Sequence, residues 1–320
     1  MKILVIPGLT LPPLTERQRE RILDACPQAE ISEANGTKAL IHAESAEVIF
    51  GLINEEIFTR CRNLRWVHAT ASGIDMFLFP EFVNSPVLLT SEKGLVGSHL
   101  ADHAFSLLLM LTRQTARAYA LGSDAWSNRA QLRARQFELT GLTMGCFGFG
   151  GTGREIAKRA VAFGMKVIAL DCDPVNSSPE VANVMNTSQF EDFLKMSDVI
   201  SICCPLTPET RAKFDSRAFS TMKKNAILVN VTRGEVLDEE SLVEALRLGK
   251  IAGAALDVVP GEPIGYDHAL WSMNNVVMSP HTAGASQFRS ERNVQRFCTN
   301  LKHFVKGDKL EGLINKKRGY

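Results

Sequence analysis

Short apolar runs alternate with helical patterns from one end of the chain to the other, and no other feature restricts the fold as much. Runs rich in β-branched and other apolar residues occur at Lys2–Ile6, Glu47–Phe50, Arg65–Ala69, Val87–Thr90, Thr143–Phe149, Lys166–Asp171, Val199–Cys203, Ala226–Val231, Ala252–Asp257 and Val276–Ser279. Between them lie segments with helical spacing, among them Glu16–Ala25, Arg154–Phe163, Gln189–Met196, Glu239–Leu248 and Gln287–Val305. Repetition of strand and helix implies parallel strands joined by crossover helices that cover both faces of a sheet. At 320 residues the chain exceeds one ordinary domain. The expected fold class is α/β, with two doubly wound parallel-sheet domains. No short internal repeat or low-complexity linker interrupts the pattern.

Composition narrows the partners. A chain that is 45% hydrophobic and 22% charged carries enough apolar surface for a sizeable core. Its formal charge of +1 argues against a nucleic-acid partner, which needs a basic face to neutralise phosphates. The run Lys316-Lys317-Arg318 reads as a solvated tail. Near the start, Ile3-Leu4-Val5-Ile6 is broken by Pro7-Gly8, too soon for a signal sequence or a membrane span. Seven cysteines, an odd number, form no C-x-x-C pair and no metal-ligand spacing with histidine. Cys146, Cys203 and Cys204 fall in or beside strand-like runs, where cysteine serves as a small apolar residue. A reduced, cytoplasmic compartment, no metal and no membrane are the expectations.

One helical segment stands apart. From His99 to Gly122 the sequence includes Ala101, Ala104, Phe105, Leu107, Leu108, Leu109, Met110 and Leu111, apolar nearly all round. Such a helix is buried on more than one side, between domains, between subunits, or both. The following Ser123–Phe137, polar and arginine-rich around Trp126, reads as an excursion from the core.

Gly148-Phe149-Gly150-Gly151-Thr152-Gly153 satisfies G-x-G-x-x-G. Glycine-rich turns are common, so the pattern alone is weak, but here a strand precedes it and a helix follows. In that setting the first glycine permits a tight turn, the second lets a pyrophosphate approach the backbone, and the third lets helix and strand pack closely. The N–H groups at the helix start then face two phosphates, where the helix dipole favours negative charge. The next strand run ends at Asp171, placed to accept from the ribose hydroxyls of an adenosine. A 2′-phosphate would be repelled there, and neither Leu170 nor Cys172 is an arginine to receive it. The expected cofactor is NAD, on a Rossmann-like domain.

Ligands of open parallel sheets bind outside the carboxyl ends of the strands. Three later runs end there with groups suited to hydride transfer: Val229–Gly234 with Arg233, Leu256–Pro263 with Asp257 and Glu262, and Ser279–Gly284 with His281. Each has a plain alternative, as a surface arginine, a loop carboxylate or a capped loop histidine.

Together, and in this order after a dinucleotide-type turn, these segments resemble the D-isomer-specific 2-hydroxyacid dehydrogenases, which include the phosphoglycerate, glyoxylate/hydroxypyruvate and D-lactate dehydrogenases. The resemblance rests on Glu138-Leu139-x-Gly141, Pro205-Leu206-Thr207-x-x-Thr210, Asn230-x-x-Arg233-Gly234, Asp257-Val258-x-x-x-Glu262-Pro263, Leu270-Trp271 and Pro280-His281-x-Ala283-Gly284, and runs through most of the chain. It implies reversible reduction of a small 2-oxo acid to a D-2-hydroxy acid. His281 would be the acid/base, Glu262 would hydrogen-bond it and favour its imidazolium form, and Arg233 would grip the substrate's carboxylate and polarise its carbonyl. Asp257 would accept from the nicotinamide carboxamide. Cys204, Pro205 and Thr210 would line the adenosine side, Val231 and Thr232 the nicotinamide side, with Gly284 closing the cofactor contacts. Ala71-Ser72-Gly73-Ile74-Asp75 resembles the family's carboxylate-binding loop, with Ser72 and Gly73 as substrate contacts; a plain turn is its equal alternative. The resemblance further implies a discontinuous, flavodoxin-like substrate domain of residues 1–97 and 286–320, an NAD-binding domain of residues 98–285, and an active-site cleft between them. The helix from His99 and the arm after it would form a homodimer.

The chain departs from the family's pattern in places. Gly151-Thr152 stands where the family usually has a polar or charged residue followed by isoleucine, which leaves the phosphate cradle bare. Asp102 replaces the more usual glutamate before His103, and Ile264–His268 is a candidate selector of substrate. No basic cluster in residues 1–97 marks a phosphate-carrying substrate, and Arg60, Arg62 and Arg65 are the residues left open for one. An NAD(H)-sensing, corepressor-like protein with little turnover is the alternative function. A formate-type dehydrogenase is disfavoured, because those relatives have an amide where Glu262 stands.

Overall fold

A computed structural model of the protein describes residues 1–181 and 183–320. The chain forms two compact units, Met1–Val96 with Ala285–Tyr320, and Gly97–Gly284. Both crossings fall one residue before the positions expected from the resemblance.

The first unit begins with β1 (Lys2–Ile6), α1 (Glu16–Ala25), β2 (Glu30–Glu33), α2 (Gly36–Ala43) and β3 (Val48–Gly51). It continues with α3 (Glu55–Arg60), β4 (Trp66–His68), α4 (Pro80–Val83) and β5 (Leu88–Thr90). The strands form one parallel sheet in the order β2-β1-β3-β4-β5, the flavodoxin-like order 2-1-3-4-5. Alternation along each strand divides the core. Ile3, Val5, Val48, Phe50 and Trp66 enter one cluster, while Leu4, Ile6, Ile49 and Val67 enter the other, because successive side chains leave a strand on opposite faces. The strand β2 was not legible in the sequence. It lies at the sheet edge with the sequence Glu-Ile-Ser-Glu, half-exposed, so it carries no apolar run.

The second unit opens with α5 (Gly97–Thr112), α6 (Thr115–Leu121) and α7 (Arg129–Arg135). The single helix expected from His99 to Gly122 is therefore two. Gln114 takes a left-handed backbone (φ +56°), and its side-chain amide donates to the freed carbonyl of Leu111 at 2.7 Å. A 3₁₀ turn then occupies Gly122–Ala125. The apolar faces of α5 are covered within this unit, by the later helix α8 and by strands β10, β11 and β12.

Those elements follow in the order β6 (Thr143–Phe147), α8 (Gly151–Ala162), β7 (Lys166–Leu170), β8 (Val184–Met185), α9 (Phe190–Met196) and β9 (Val199–Ile202). Next come α10 (Ser216–Thr221), β10 (Ile227–Asn230), α11 (Glu239–Arg247), β11 (Gly253–Leu256) and β12 (Val276–Met278). The parallel sheet runs β12-β11-β10-β9-β6-β7-β8, the Rossmann order 3-2-1-4-5-6 with β12 added at one edge. Its other edge, the two-residue β8, also escaped the sequence reading because it is too short to show a period. Strand order reverses between β6 and β9, so a crevice at their carboxyl ends is where a dinucleotide site is expected.

The chain returns to the first unit with α12 (Arg289–Lys306), whose buried Val294, Phe297, Cys298 and Leu301 repeat at helical spacing. Phe297 stacks on Phe50 (centroids 4.2 Å apart) and on Trp66 (5.1 Å). Gly307 ends the helix in the left-handed conformation. Among the described residues, no helix is long and apolar enough to cross a membrane.

Candidate active site

The three pattern glycines of the second unit each answer a different steric demand. Gly148 has φ +99°, and a Cβ there would lie 2.7 Å from the backbone nitrogen of Cys204, so the turn after β6 nests against the chain leaving β9. A Cβ on Gly153 would lie 2.2 Å from the carbonyl oxygen of Gly148, which fixes how closely α8 leaves the strand. A Cβ on Gly150 would meet nothing within 4 Å. That open space lies at the start of α8, where Gly150 provides no side-chain cap for the first-turn N–H groups. Uncapped donors at a helix N-terminus, reached over a glycine, suit a pyrophosphate. Gly97 adds a constraint that the sequence reading missed: its Cβ would lie 2.5 Å from the carbonyl oxygen of Gly151, so α5 packs against the turn itself.

Asp171 follows β7 and secures the same turn. Its Oδ2 accepts the Phe149 N–H at 2.7 Å, and its Oδ1 accepts the Asp173 N–H at 3.0 Å. Each oxygen keeps a further lone-pair direction for a ribose hydroxyl. The guanidinium of Arg154 lies 4.6 Å from the Phe149 ring centroid and donates to the Asn176 carbonyl at 2.6 Å.

Cys203 and Cys204 lie just beyond β9, and burial pushes the Cys203 thiol up to about 12 and Cys204 higher still. Both are packing residues rather than nucleophiles. The Thr210 hydroxyl is engaged by its own loop: it donates to the Pro205 carbonyl at 2.8 Å and accepts the Thr207 N–H at 2.8 Å. Its evident work is to shape the loop that Pro205 begins.

Beyond β10, the fully buried Asn230 builds the turn carrying Arg233. Its Nδ2 donates to the Arg233 carbonyl at 2.8 Å, and its Oδ1 accepts the Thr232 N–H at 3.1 Å. Val231 is buried and Thr232 half-buried beside it. Gly234 then passes so close to the next loop that a Cβ would lie 2.0 Å from the Val259 carbonyl carbon. That next loop carries Glu262, joined to Pro263 by a cis peptide bond. Glu262 Oε1 accepts the Val259 N–H at 2.8 Å, while Oε2 lies 2.7 Å from His281 Nδ1.

His281 itself has φ +52°, a conformation that a residue with a side chain seldom adopts. Its N–H donates to the Asp257 carbonyl at 2.9 Å, and the next two N–H groups, of Thr282 and Ala283, donate to the Asp257 carboxylate at 2.9 and 2.8 Å. Asp257 is 2% exposed and also accepts from the Ser279 hydroxyl at 2.6 Å. Its Oδ2 retains a lone-pair direction for an amide donor. The structure thus brings Arg233, Glu262 and His281 to the carboxyl ends of adjacent strands β10, β11 and β12, on the edge that also bears the glycine turn. The sequence reading gave no role to Asn230, Ser279 or His103, whose polar side chains sit in or beside apolar segments.

In the first unit, Ser72 and Gly73 lie at the carboxyl end of β4, where the Ala71 carbonyl accepts the Glu92 N–H at 3.3 Å. Arg65 immediately precedes β4, and Arg62 lines a surface hollow with it. Arg60 faces Glu44 at 3.8 Å. Arg62 and Arg65 therefore lie at the opposite edge of the parallel sheet from the Ser72-Gly73 loop, and neither marks a phosphate group held there. Of the candidate selectors after Glu262, His268 is drawn back onto α11, with Nε2 2.8 Å from Glu239 Oε1, while Tyr266 is fully exposed.

Residues 105–283 match the family model described as D-isomer specific 2-hydroxyacid dehydrogenase, NAD binding domain. The chain is 35% identical over 271 residues to a glyoxylate reductase of Thermococcus litoralis, covering 82% of this chain and 81% of that one. Among solved structures, a D-isomer specific 2-hydroxyacid dehydrogenase family protein of Aeromonas salmonicida is 27% identical, with TM-score 0.79 over 98% of this chain and 99% of that one. The NADPH-dependent glyoxylate/hydroxypyruvate reductase of Sinorhizobium meliloti shares the fold at TM-score 0.81 and 22% identity, over 100% of both chains. Fold, site and matches define an NAD(P)-dependent oxidoreductase. The chain belongs to the D-isomer specific 2-hydroxyacid dehydrogenase family.

Proposed function

We propose that the protein interconverts a small 2-oxo acid and a D-2-hydroxy acid with NAD as cofactor. The observation that carries this reading is the 2.7 Å pair of Glu262 Oε2 and His281 Nδ1, set beside the Arg233 turn at the edge bearing the glycine turn. When bound, the cofactor supplies or receives the hydride. Gly150, the first turn of α8 and Asp171 would hold its pyrophosphate and adenosine ribose, and the carboxylate of Asp171 favours NAD over a 2′-phosphorylated form. Arg233 fixes the substrate's carboxylate and draws charge toward the carbonyl oxygen. With Nδ1–H donated to Glu262, Nε2 of His281 delivers a proton to that oxygen in reduction and recovers it in oxidation. Ser72 and Gly73 are proposed to bind the substrate carboxylate through backbone N–H groups. Exposed Tyr119 and Trp126 on α6 and the following arm support a homodimer through this region.

Glyoxylate is the first substrate to test, because the Thermococcus litoralis relative is named for its reduction. Purified protein is expected to consume NADH with glyoxylate, hydroxypyruvate or pyruvate, and His281→Ala to lower kcat about a thousandfold. Tight NADH binding without turnover on a broad 2-oxo acid panel would instead establish a nucleotide-sensing protein.

A further inference from the structure

We infer that His103 is a positioning residue for the reaction, holding through Ser279 and Asp257 the left-handed turn that aims His281. This rests on the acid/base role proposed for His281. His103 projects from α5, a helix packed on β11 and β12, and its Nε2 lies 2.7 Å from Ser279 Oγ and 3.2 Å from Asp257 Oδ1. Proton inventory fixes the order of donors. A carboxylate only accepts, so the Ser279 hydroxyl spends its one hydrogen on Asp257 at 2.6 Å. The Ser279 oxygen is then an acceptor toward the ring, and His103 must carry hydrogen on Nε2.

The chain of bonds therefore runs from a helix into the catalytic turn. His103 Nε2–H meets Ser279 Oγ, Ser279 O–H meets Asp257 Oδ1, and Asp257 gathers the Thr282 and Ala283 N–H groups. A backbone at φ +52° relaxes toward commoner conformations unless its surroundings over-determine it. Asp257 supplies that restraint, and the lateral bonds from Ser279 and His103 keep its carboxylate from rotating. Residues that lock a catalytic group in this way act on turnover without touching substrate.

The test compares His103→Leu, His103→Gln and Ser279→Ala with the unaltered protein. Glutamine can place an amide N–H where Nε2–H now sits; leucine cannot. Hydrogen–deuterium exchange of the segment 279–285 is expected to quicken about tenfold in the leucine and alanine variants, with other segments unchanged. In turnover of glyoxylate with NADH, the leucine variant should lose about tenfold in kcat with KM within about twofold, and glutamine should restore both readouts. Unchanged exchange in both the leucine and alanine variants overturns the inference. So does quickened exchange with unaltered kcat, or a loss that glutamine fails to rescue. If the unaltered protein turns over no 2-oxo acid, the proposed function fails, and the exchange measurement still decides whether His103 holds the turn.

Discussion

Glu262 divides its carboxylate between two N–H groups: Oε1 takes the backbone of Val259 at 2.8 Å and Oε2 faces His281 Nδ1 at 2.7 Å. A glutamine of the same shape has one oxygen and one NH₂, so it cannot accept from both. In Glu262→Gln, either the loop contact is lost or His281 turns to the tautomer with hydrogen on Nε2, and the negative charge beside the ring is gone in both cases. Reduction of glyoxylate is expected to fall about a hundredfold in kcat, with NADH affinity changed far less. Steady-state kinetics and a fluorescence titration of NADH decide it; equal losses in both would mean that Glu262 serves the fold and not the proton.

The glycines of the turn make separable predictions. Gly150 borders open space, whereas Gly153 lies against the Gly148 carbonyl, where a Cβ would be 2.2 Å away. Gly150→Ala is therefore expected to melt like the unaltered protein while binding NADH at least about tenfold more weakly, because the methyl group would stand where the pyrophosphate is proposed to approach. Gly153→Ala should lower the melting temperature itself, since backbone must shift to admit the side chain. Thermal unfolding with and without NADH separates the two; a Gly150→Ala protein that keeps full affinity would remove the cofactor from this turn.

Much of this was legible in the sequence because parallel strands buried on both faces write themselves as unbroken apolar runs, as Val48–Gly51 and Val199–Ile202 do. The edge strands β2 and β8 lack that signature, one being half-polar and the other two residues long. The break at Gln114 was hidden because the residue taking the left-handed conformation is neither glycine nor proline. In the candidate site, Arg233, Glu262 and His281 were visible as polar side chains just past strand ends. Strand direction, which the sequence does not print, was needed to put Arg62 and Arg65 at the far edge of their sheet from Ser72 and Gly73. His103 was invisible for a different reason: its partners come from residues 257 and 279, and no local pattern links them to a helix beginning at Gly97.

A buried histidine makes the first unit sensitive to acid. His68 is fully buried among Phe50, Trp66 and Phe297, with Nδ1 2.7 Å from Thr90 Oγ1. Burial, reinforced by the positive charge of Arg296, lowers its pKa to about 3 from 6.5, with Asn293 opposing in part. The folded state thus binds this proton less readily than the unfolded chain, so the stability due to His68 is complete above about pH 6.5 and declines as pH falls toward 3. Each pH unit in that window costs about 1.4 kcal/mol. Urea unfolding at about pH 7.5 and about pH 5 should show the unaltered protein losing about 2 kcal/mol more than His68→Gln. Equal losses in the two proteins would show that His68 protonates freely in the folded state.

The proposed choice of NAD rests on Asp171, which also holds the glycine turn through the Phe149 N–H at 2.7 Å and its own chain through the Asp173 N–H at 3.0 Å. Asparagine keeps one accepting oxygen, enough for the Phe149 bond, but surrenders the second and with it the negative charge. Two consequences oppose each other in a single variant. A ribose hydroxyl loses its charged acceptor, so the KM for NADH should rise about tenfold, the order expected when a charge-assisted hydrogen bond becomes a neutral one. A 2′-phosphate meets one carboxylate fewer, with Asp173 remaining within 4.8 Å of position 171, and Arg154, stacked on the Phe149 ring at 4.6 Å, is a cation built into the turn, so NADPH should be used better than before. The ratio of kcat/KM for NADH to that for NADPH is therefore predicted to drop by more than the NADH loss alone. Adding Arg154→Ala to Asp171→Asn should abolish the gain with NADPH and leave the loss with NADH in place. If NADPH is already preferred by the unaltered protein, the carboxylate is not the discriminating group and the assignment of NAD fails with it.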